Sequence, residues 1–251
     1  MTIYAFIKRS ALAAGILGLV GLSALVGASP SQAAIINGGF ETGDLTGWLT
    51  IGESFIETSE FGSGPSEGTY NALLLTGAAE DGELGSVSDS AIESFLGLAS
   101  GSFDSLIGAD AFEGSAIQQT FTAKAGDIFS FDWNFLTNEA TPETEGFNDF
   151  AFVSVNGIAS KLADTSSSFF SSSSNDFDEE TGFQNLSYTV TDDGTYTLGL
   201  GVLDTRDNTM GSGLLIDNVK AVPEPTSTLG ILAFGAFSAV SVLKRKKQKQ
   251  A

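Results

Sequence analysis

The side chains available for chemistry are carboxylates, hydroxyls and a few lysines, because the 251-residue chain contains neither cysteine nor histidine. That absence removes a thiol nucleophile, a Ser-His-Asp relay and a zinc site of the usual Cys or His kind. Thirty-one Asp and Glu stand against eleven Lys and Arg. Acid pairs are therefore abundant, yet none stands in a motif that singles out the two opposed carboxylates of a glycoside hydrolase. Gly62-Ser63-Gly64 runs into Pro65 with no helix or lysine after it, which argues against a phosphate-cradling loop. No catalytic residue is assigned, and the chain reads as a non-enzyme. Trp48, Tyr70 and Trp133 are the side chains able to stack on a sugar ring. Trp133 falls on the aromatic face of its strand and Trp48 closes a glycine-rich run, so both are expected in the core. Tyr70 has no such assignment and is the candidate ligand-binding residue.

The elements that must position these groups read as short strands separated by Gly, Asp, Asn and Ser. Alternation is strongest over residues 127–135, where Phe129, Phe131, Trp133 and Phe135 share one face and Ile128, Ser130, Asp132 and Asn134 the other. Further strands are expected at residues 54–59, 71–75, 116–121 and 150–155. Asn156-Gly157 then makes a hairpin turn into residues 158–162. Residues 185–190, the turn Asp192-Asp193-Gly194 and residues 195–202 read as another hairpin. Ala91, Ile92, Phe95 and Leu96 recur at helical spacing behind Ser88 or Asp89 as N-cap, with a second short helix over residues 103–107. Residues 164–180 look too polar to pack and are expected as an exposed loop. The sum is an all-β, antiparallel sandwich with a short helical insertion.

Both chain ends stand apart from this domain. Lys8 and Arg9 precede an uncharged apolar run over residues 11–28, and Ser31-Gln32-Ala33 offers small residues for signal-peptidase cleavage after Ala33. An uncleaved N-terminal anchor is the alternative. At the other end, Val222-Pro223-Glu224-Pro225 leads into eighteen uncharged residues, 226–243, and then Lys244, Arg245, Lys246, Lys247 and Lys249. As a helix that run would reach about 27 Å, just enough to cross a hydrocarbon layer of ~30 Å. The cations after it would stay cytoplasmic, placing everything before Pro223 across the membrane. The expected division is therefore a signal peptide (1–33), an exported β-sandwich (34–221) and a C-terminal sorting segment (222–251). Two of the eleven cations lie in the leader and five in the tail. The remaining four, Lys124, Lys161, Arg206 and Lys220, face all thirty-one acids, a net charge of −27. Such a surface repels nucleic acid and anionic lipid.

Pro223-Glu224-Pro225 with its apolar helix and basic tail resembles the PEP-CTERM sorting signal of bacterial surface proteins. The resemblance implies processing near that motif by the membrane protease-transpeptidase exosortase, and a cell-surface or extracellular destination. The run Asn37-Gly38-Gly39-Phe40-Glu41-Thr42-Gly43-Asp44-Leu45-Thr46-Gly47-Trp48 resembles the opening of galactose-binding-like jelly rolls, which include several carbohydrate-binding modules. That resemblance implies a structural Ca2+ held by Glu41 together with an aspartate of the last strand, for which Asp217 in Gly213-Leu214-Leu215-Ile216-Asp217-Asn218-Val219 is the match. Two roles remain for the exported domain. One is a non-catalytic component of the cell surface or extracellular matrix, which is the leading expectation; the other is a module that binds extracellular polysaccharide.

Overall fold

The computed structural model describes residues 35–77, 85–167, 171–206 and 210–223. All of them belong to one unit, Gln32–Ala251. The signal segment, Glu224, Pro225 and the rest of the sorting segment lie outside the described residues. Among those described, no helix is long and apolar enough to cross a membrane.

Among the described residues thirteen strands and two α-helices follow one another as β1 (Leu49–Ile51), β2 (Glu53–Glu57), β3 (Asn71–Leu75), β4 (Val87–Ser88), α1 (Asp89–Leu96), α2 (Ser102–Ile107), β5 (Ala111–Ala123), β6 (Ile128–Thr137), β7 (Phe150–Val155), β8 (Ile158–Asp164), β9 (Ser171–Ser172), β10 (Glu179–Glu180), β11 (Gln184–Thr189), β12 (Gly194–Thr205) and β13 (Ser212–Val222). They form two antiparallel sheets. One has the order β1-β5-β12-β7-β8 with β4 beside β5, the other β2-β3-β13-β6-β10-β9 with β11 also on β6. The expected antiparallel sandwich is what the pairing builds.

Its core follows from the alternation on β6. Phe129, Phe131, Trp133 and Phe135 are all buried between the sheets, against Leu198, Leu200 and Val202 of β12 and Leu214 and Ile216 of β13. Each such side chain contributes about 1.5–3 kcal/mol of burial free energy. The opposite face of β12 carries glycine where the core face carries Leu or Val. A Cβ on Gly199 would come within 2.5 Å of Leu96 Cδ2, and one on Gly201 within 2.4 Å of Phe152 Cζ. Glycine there lets α1 and the β7 phenylalanines approach. Ile92, Leu96 and Phe103 of the helices close a second cluster over Phe150, Phe152 and Leu203. Ser88 caps α1 as expected, its Oγ accepting from Ala91 N at 3.3 Å. Buried Glu93 accepts from Gly101 N (2.9 Å) and Phe103 N (3.0 Å), so α1 supplies the cap that α2 lacks.

Two expectations change. β11 and β12 do not form a hairpin, because β11 pairs with β6 in one sheet and β12 with β5 and β7 in the other. The turn between them crosses the sandwich, latched by Val190 N to Asp127 O and Gly126 N to Val190 O, both 2.8 Å. Residues 164–180 are not simply an exposed loop. Residues 171–180 form the β9–β10 hairpin against β6, and Phe177 packs with Phe61 and Phe183 over Leu73, Leu136 and Leu215. For the same reason the polar face of β6 is not solvated throughout. Asn134 is buried, donating to Glu180 Oε2 (3.0 Å) and accepting from Thr181 Oγ1 (3.1 Å).

Candidate functional site

The Asn37–Trp48 run folds into a knot that docks on the last strand. Trp48 stacks on Phe40 with ring centroids 5.7 Å apart, and its Nε1 donates to Asn37 O at 3.2 Å. Both tryptophans are buried, as expected. Val219 N donates to Gly38 O at 2.8 Å, which ties the start of the domain to β13. A side chain at Gly38 would collide with Val219 O, 1.8 Å from its Cβ.

This docking brings Glu41 and Asp217 to one place. A Cβ on Gly39 would lie 3.7 Å from Glu41 Cγ and 3.8 Å from Asp217 Oδ1. One loop, residues 66–70, serves both carboxylates. Glu41 Oε1 accepts from Thr69 N (2.8 Å) and Tyr70 N (3.1 Å), and Asp217 Oδ2 accepts from Glu67 N (2.9 Å) and Ser66 Oγ (3.0 Å). Burial pushes the Asp217 carboxyl above its usual range in spite of these donors. Phe40 and Asn218, next to the two acids, both hold a positive φ, +55° and +52°. Left-handed backbone at non-glycine residues is costly and collects at functional sites. On β6, opposite Asp217, Asp132 loses to burial but gains more from Asn185, Asn218 and Ser66, so its pKa is lowered. Oxygen is the only donor type present, which suits a hard cation. Among the described residues no three acidic side chains gather closely enough to hold a metal. Glu41 and Asp217 would therefore need backbone carbonyls and water to complete a calcium shell of six to eight oxygens.

Tyr70 sits beside this junction. Its ring lies against Gly43, 3.5 Å from a Cβ built there, and it packs half-buried on the core. It does not line the cleft described next.

That cleft opens where the two sheets part, between their edge strands β8 and β11, and has a volume of about 410 Å3. Val155, Asn156 and Ile158 of the β7–β8 hairpin form one wall and Leu186 and Tyr188 of β11 the other, with Phe129 and Tyr196 between and Asp192 at the rim. Asn156 and Gly157 turn this hairpin with φ of +49° and +77°, so the expected Asn-Gly turn shapes one wall. Tyr188 stacks on Phe129 at 4.8 Å, Phe129 meets Phe121 edge-on at 5.7 Å, and Phe121 stacks on Tyr196 at 6.1 Å. The aromatic wall is thus braced from inside the core. Tyr196 Oη donates to Asp192 O at 2.8 Å, fixing the rim where the chain crosses between sheets. Ile158 is 74% exposed at the mouth. The volume falls in the lower part of the range of small-ligand sites, roughly 300–1,000 Å3. Sequence reasoning missed Tyr188 and Tyr196. The only signal for them was a tyrosine on each side of the Asp192-Asp193-Gly194 turn.

No protein-family model matches the chain, and no curated protein matches it. Among solved structures it is similar to TmCBM61 in complex with beta-1,4-galactotriose, at 14% identity and a TM-score of 0.40, covering 77% of this chain and 100% of that one. It is also similar to CBM28, a non-crystalline cellulose specific carbohydrate-binding module, at 13% identity and a TM-score of 0.37, covering 75% and 95%. The enzymatically active domain of bacteriophage CBA120 tailspike protein 4 matches at 12% identity and a TM-score of 0.36, covering 76% of this chain and 21% of that one.

Proposed function

We propose that the sandwich is an exported, non-catalytic carbohydrate-binding domain of the galactose-binding-like jelly-roll type, with the β8–β11 cleft as its saccharide site. The single observation that carries this reading is the cleft itself: a braced tyrosine wall facing a rim of Asn156, Ser160, Thr191 and Asp192. A pyranose ring presents an apolar face to stack on Tyr188 and hydroxyls for the rim's amide, hydroxyl and carboxylate groups. Among the described lining residues Asp192 is the one carboxylate, whereas glycoside hydrolysis uses two. A net charge of −27 over residues 34–225 would repel uronates and sulfated chains, so a neutral polysaccharide is the expected ligand. The signal segment would export the domain, and exosortase acting near Pro223-Glu224-Pro225 would set it on the cell surface or in the extracellular matrix.

The test is affinity electrophoresis of the purified protein through gels containing neutral polysaccharides. Retardation by at least one of them is expected, weakened ~10-fold by Tyr188→Ala, since lost stacking is worth about 0.5–1.5 kcal/mol. Tyr70→Ala should leave it unchanged. Free migration through every gel would refute the binding role and return the domain to a structural part of the matrix.

A second reading concerns the Glu41–Asp217 junction, which we assign to a structural Ca2+ supplying positive charge between the two ends of the domain. The left-handed Phe40 and Asn218 beside the two acids favour it. Saturating Ca2+ is expected to raise the melting midpoint over that in chelator, and Glu41→Gln to abolish this contribution. An unchanged midpoint in the wild-type protein would remove the ion.

A further inference from the structure

At the Ser212 end of β13, the space between the sheets turns from apolar to polar. On β12 Val202 faces the core and Leu203 the helices, and on β7 Ala151 and Phe150 divide in the same way. Leu203 pairs with Phe150, so Asp204 and Asp149, one step further along each strand, stand side by side and turn inward. Thr76, Ser212 and Thr137 face them from the other sheet, and all five residues are at most 1% exposed.

The donors in this layer are spent elsewhere. Asp149 Oδ1 accepts from Thr205 N (3.0 Å) and Oδ2 from Ser212 Oγ (2.7 Å). Thr76 Oγ1 donates to Ser212 O (3.2 Å) and accepts from Ser212 N (2.9 Å), while the Thr137 and Ser212 hydroxyls bond each other at 2.8 Å. Neither oxygen of the fully buried Asp204 carboxylate makes a hydrogen bond, and the Thr76 hydroxyl beside it offsets only part of the burial. Its charged neighbours, Asp149 and Glu113, carry the same sign. Burial first, and Asp149 second, push its carboxyl up to about 10. Two anionic carboxylates cannot stay paired in such surroundings without a counter-charge. A shared proton would fill one Asp204 oxygen. A cation can take both, and also reach Asp149 and the Thr76 hydroxyl beside it.

We propose that Asp149 and Asp204 form a buried site for a hard divalent cation of the calcium class, separate from the Glu41–Asp217 junction. The ion would bridge β7 and β12 directly and reach the other sheet through the hydroxyls of Thr76 and Ser212. Every group offered is an oxygen, as such a cation requires. The site would lock the end of the sandwich remote from the junction.

The experiment compares full-length chains in mild detergent, melted in chelator and in millimolar Ca2+, with Mg2+ as a parallel arm. Four proteins separate the two sites: wild type, Glu41→Gln, Asp204→Asn and the double variant. In the Glu41→Gln background Ca2+ should still raise the midpoint, by about 5 °C at a hundredfold excess over its dissociation constant. The double variant should lose that rise. In chelator Asp204→Asn should melt no lower than wild type, because the amide removes a buried like-charge pair without changing shape, so a folding defect would not mimic lost binding. Calorimetric titration of Ca2+ into Glu41→Gln should show one site, absent from the double variant. A Ca2+ response equal in Glu41→Gln and the double variant, or none in Glu41→Gln, would overturn the assignment and leave a proton-sharing pair. No response in any of the four proteins would overturn both cation sites, whereas a response kept by each single variant and lost only in the double variant supports the second site.

Discussion

Asp164 is held by several donors at once. Lys161 forms an ion pair with it, Asn148 Nδ2 donates at 3.2 Å, Ser166 N at 3.1 Å and Ser167 Oγ at 3.2 Å. Burial alone would raise its pKa, but these donors together lower it. A depressed folded-state pKa contributes stability above the unfolded value, near 4, and that stability disappears as pH falls through the folded value. Asp164→Asn is therefore expected to cost about 1–3 kcal/mol in denaturant unfolding at pH 7 and less at low pH. An equal cost at both would mean that packing, not charge, is what the residue supplies. Residues whose role is local were legible in the sequence. Glu41 and Asp217 were paired through the resemblance of the Asn37–Trp48 run to a jelly-roll opening, and the structure brings them to the same loop. Asp204 and Tyr188 could not be found in that way, since neither sits in a motif. Their character comes from a strand neighbour far away in sequence, Asp149 for one and Phe129 for the other.

At the scale of elements, β6 was legible because four aromatic residues at period two leave one choice of face. The Ser88 cap and the Asn156-Gly157 turn were legible for equally local reasons. The β11–β12 connection was not. Asp192-Asp193-Gly194 has the composition of a hairpin turn, and nothing local distinguishes a hairpin from a crossing between sheets. What decides it is distant: Val190 bonds to residues 126–127, and Ala125 N donates to Asp193 Oδ1 at 2.9 Å. The Leu-Gly-Leu-Gly pattern of β12 did carry information, because the glycines mark where the helices and Phe152 press on the sheet. Gly201→Ala should lower stability by about 1–3 kcal/mol through overpacking. Gly194→Ala, at a position with nothing within 4 Å of its Cβ, should be near neutral. Equal effects on the unfolding midpoint would refute the close approach of Phe152 as the reason for glycine.

For the whole molecule, composition did most of the work. Lacking Cys and His, the chain has no disulfide and must rest on burial, and the described residues bury three apolar clusters: between the sheets, under the helices and beneath the β9–β10 segment. The acidity of residues 34–225 disfavours anionic partners. Two polar ends of one sandwich, Glu41 with Asp217 and Asp149 with Asp204, are where we assign the cations. The cleft proposed for a saccharide lies on a third side, between edge strands, where two sheets that do not close on each other leave an opening. Sequence patterning indicated the sandwich but not where its edges part, because that depends on which strands end each sheet. The central claim is that this opening holds the ligand. It is tested most directly by amide chemical-shift mapping of the isotope-labelled protein as an oligosaccharide of the retained polysaccharide is added. Shifts concentrated on residues 186–188, 156–158 and 192 would agree with the account, and shifts centred on residues 66–70 or absent throughout would contradict it.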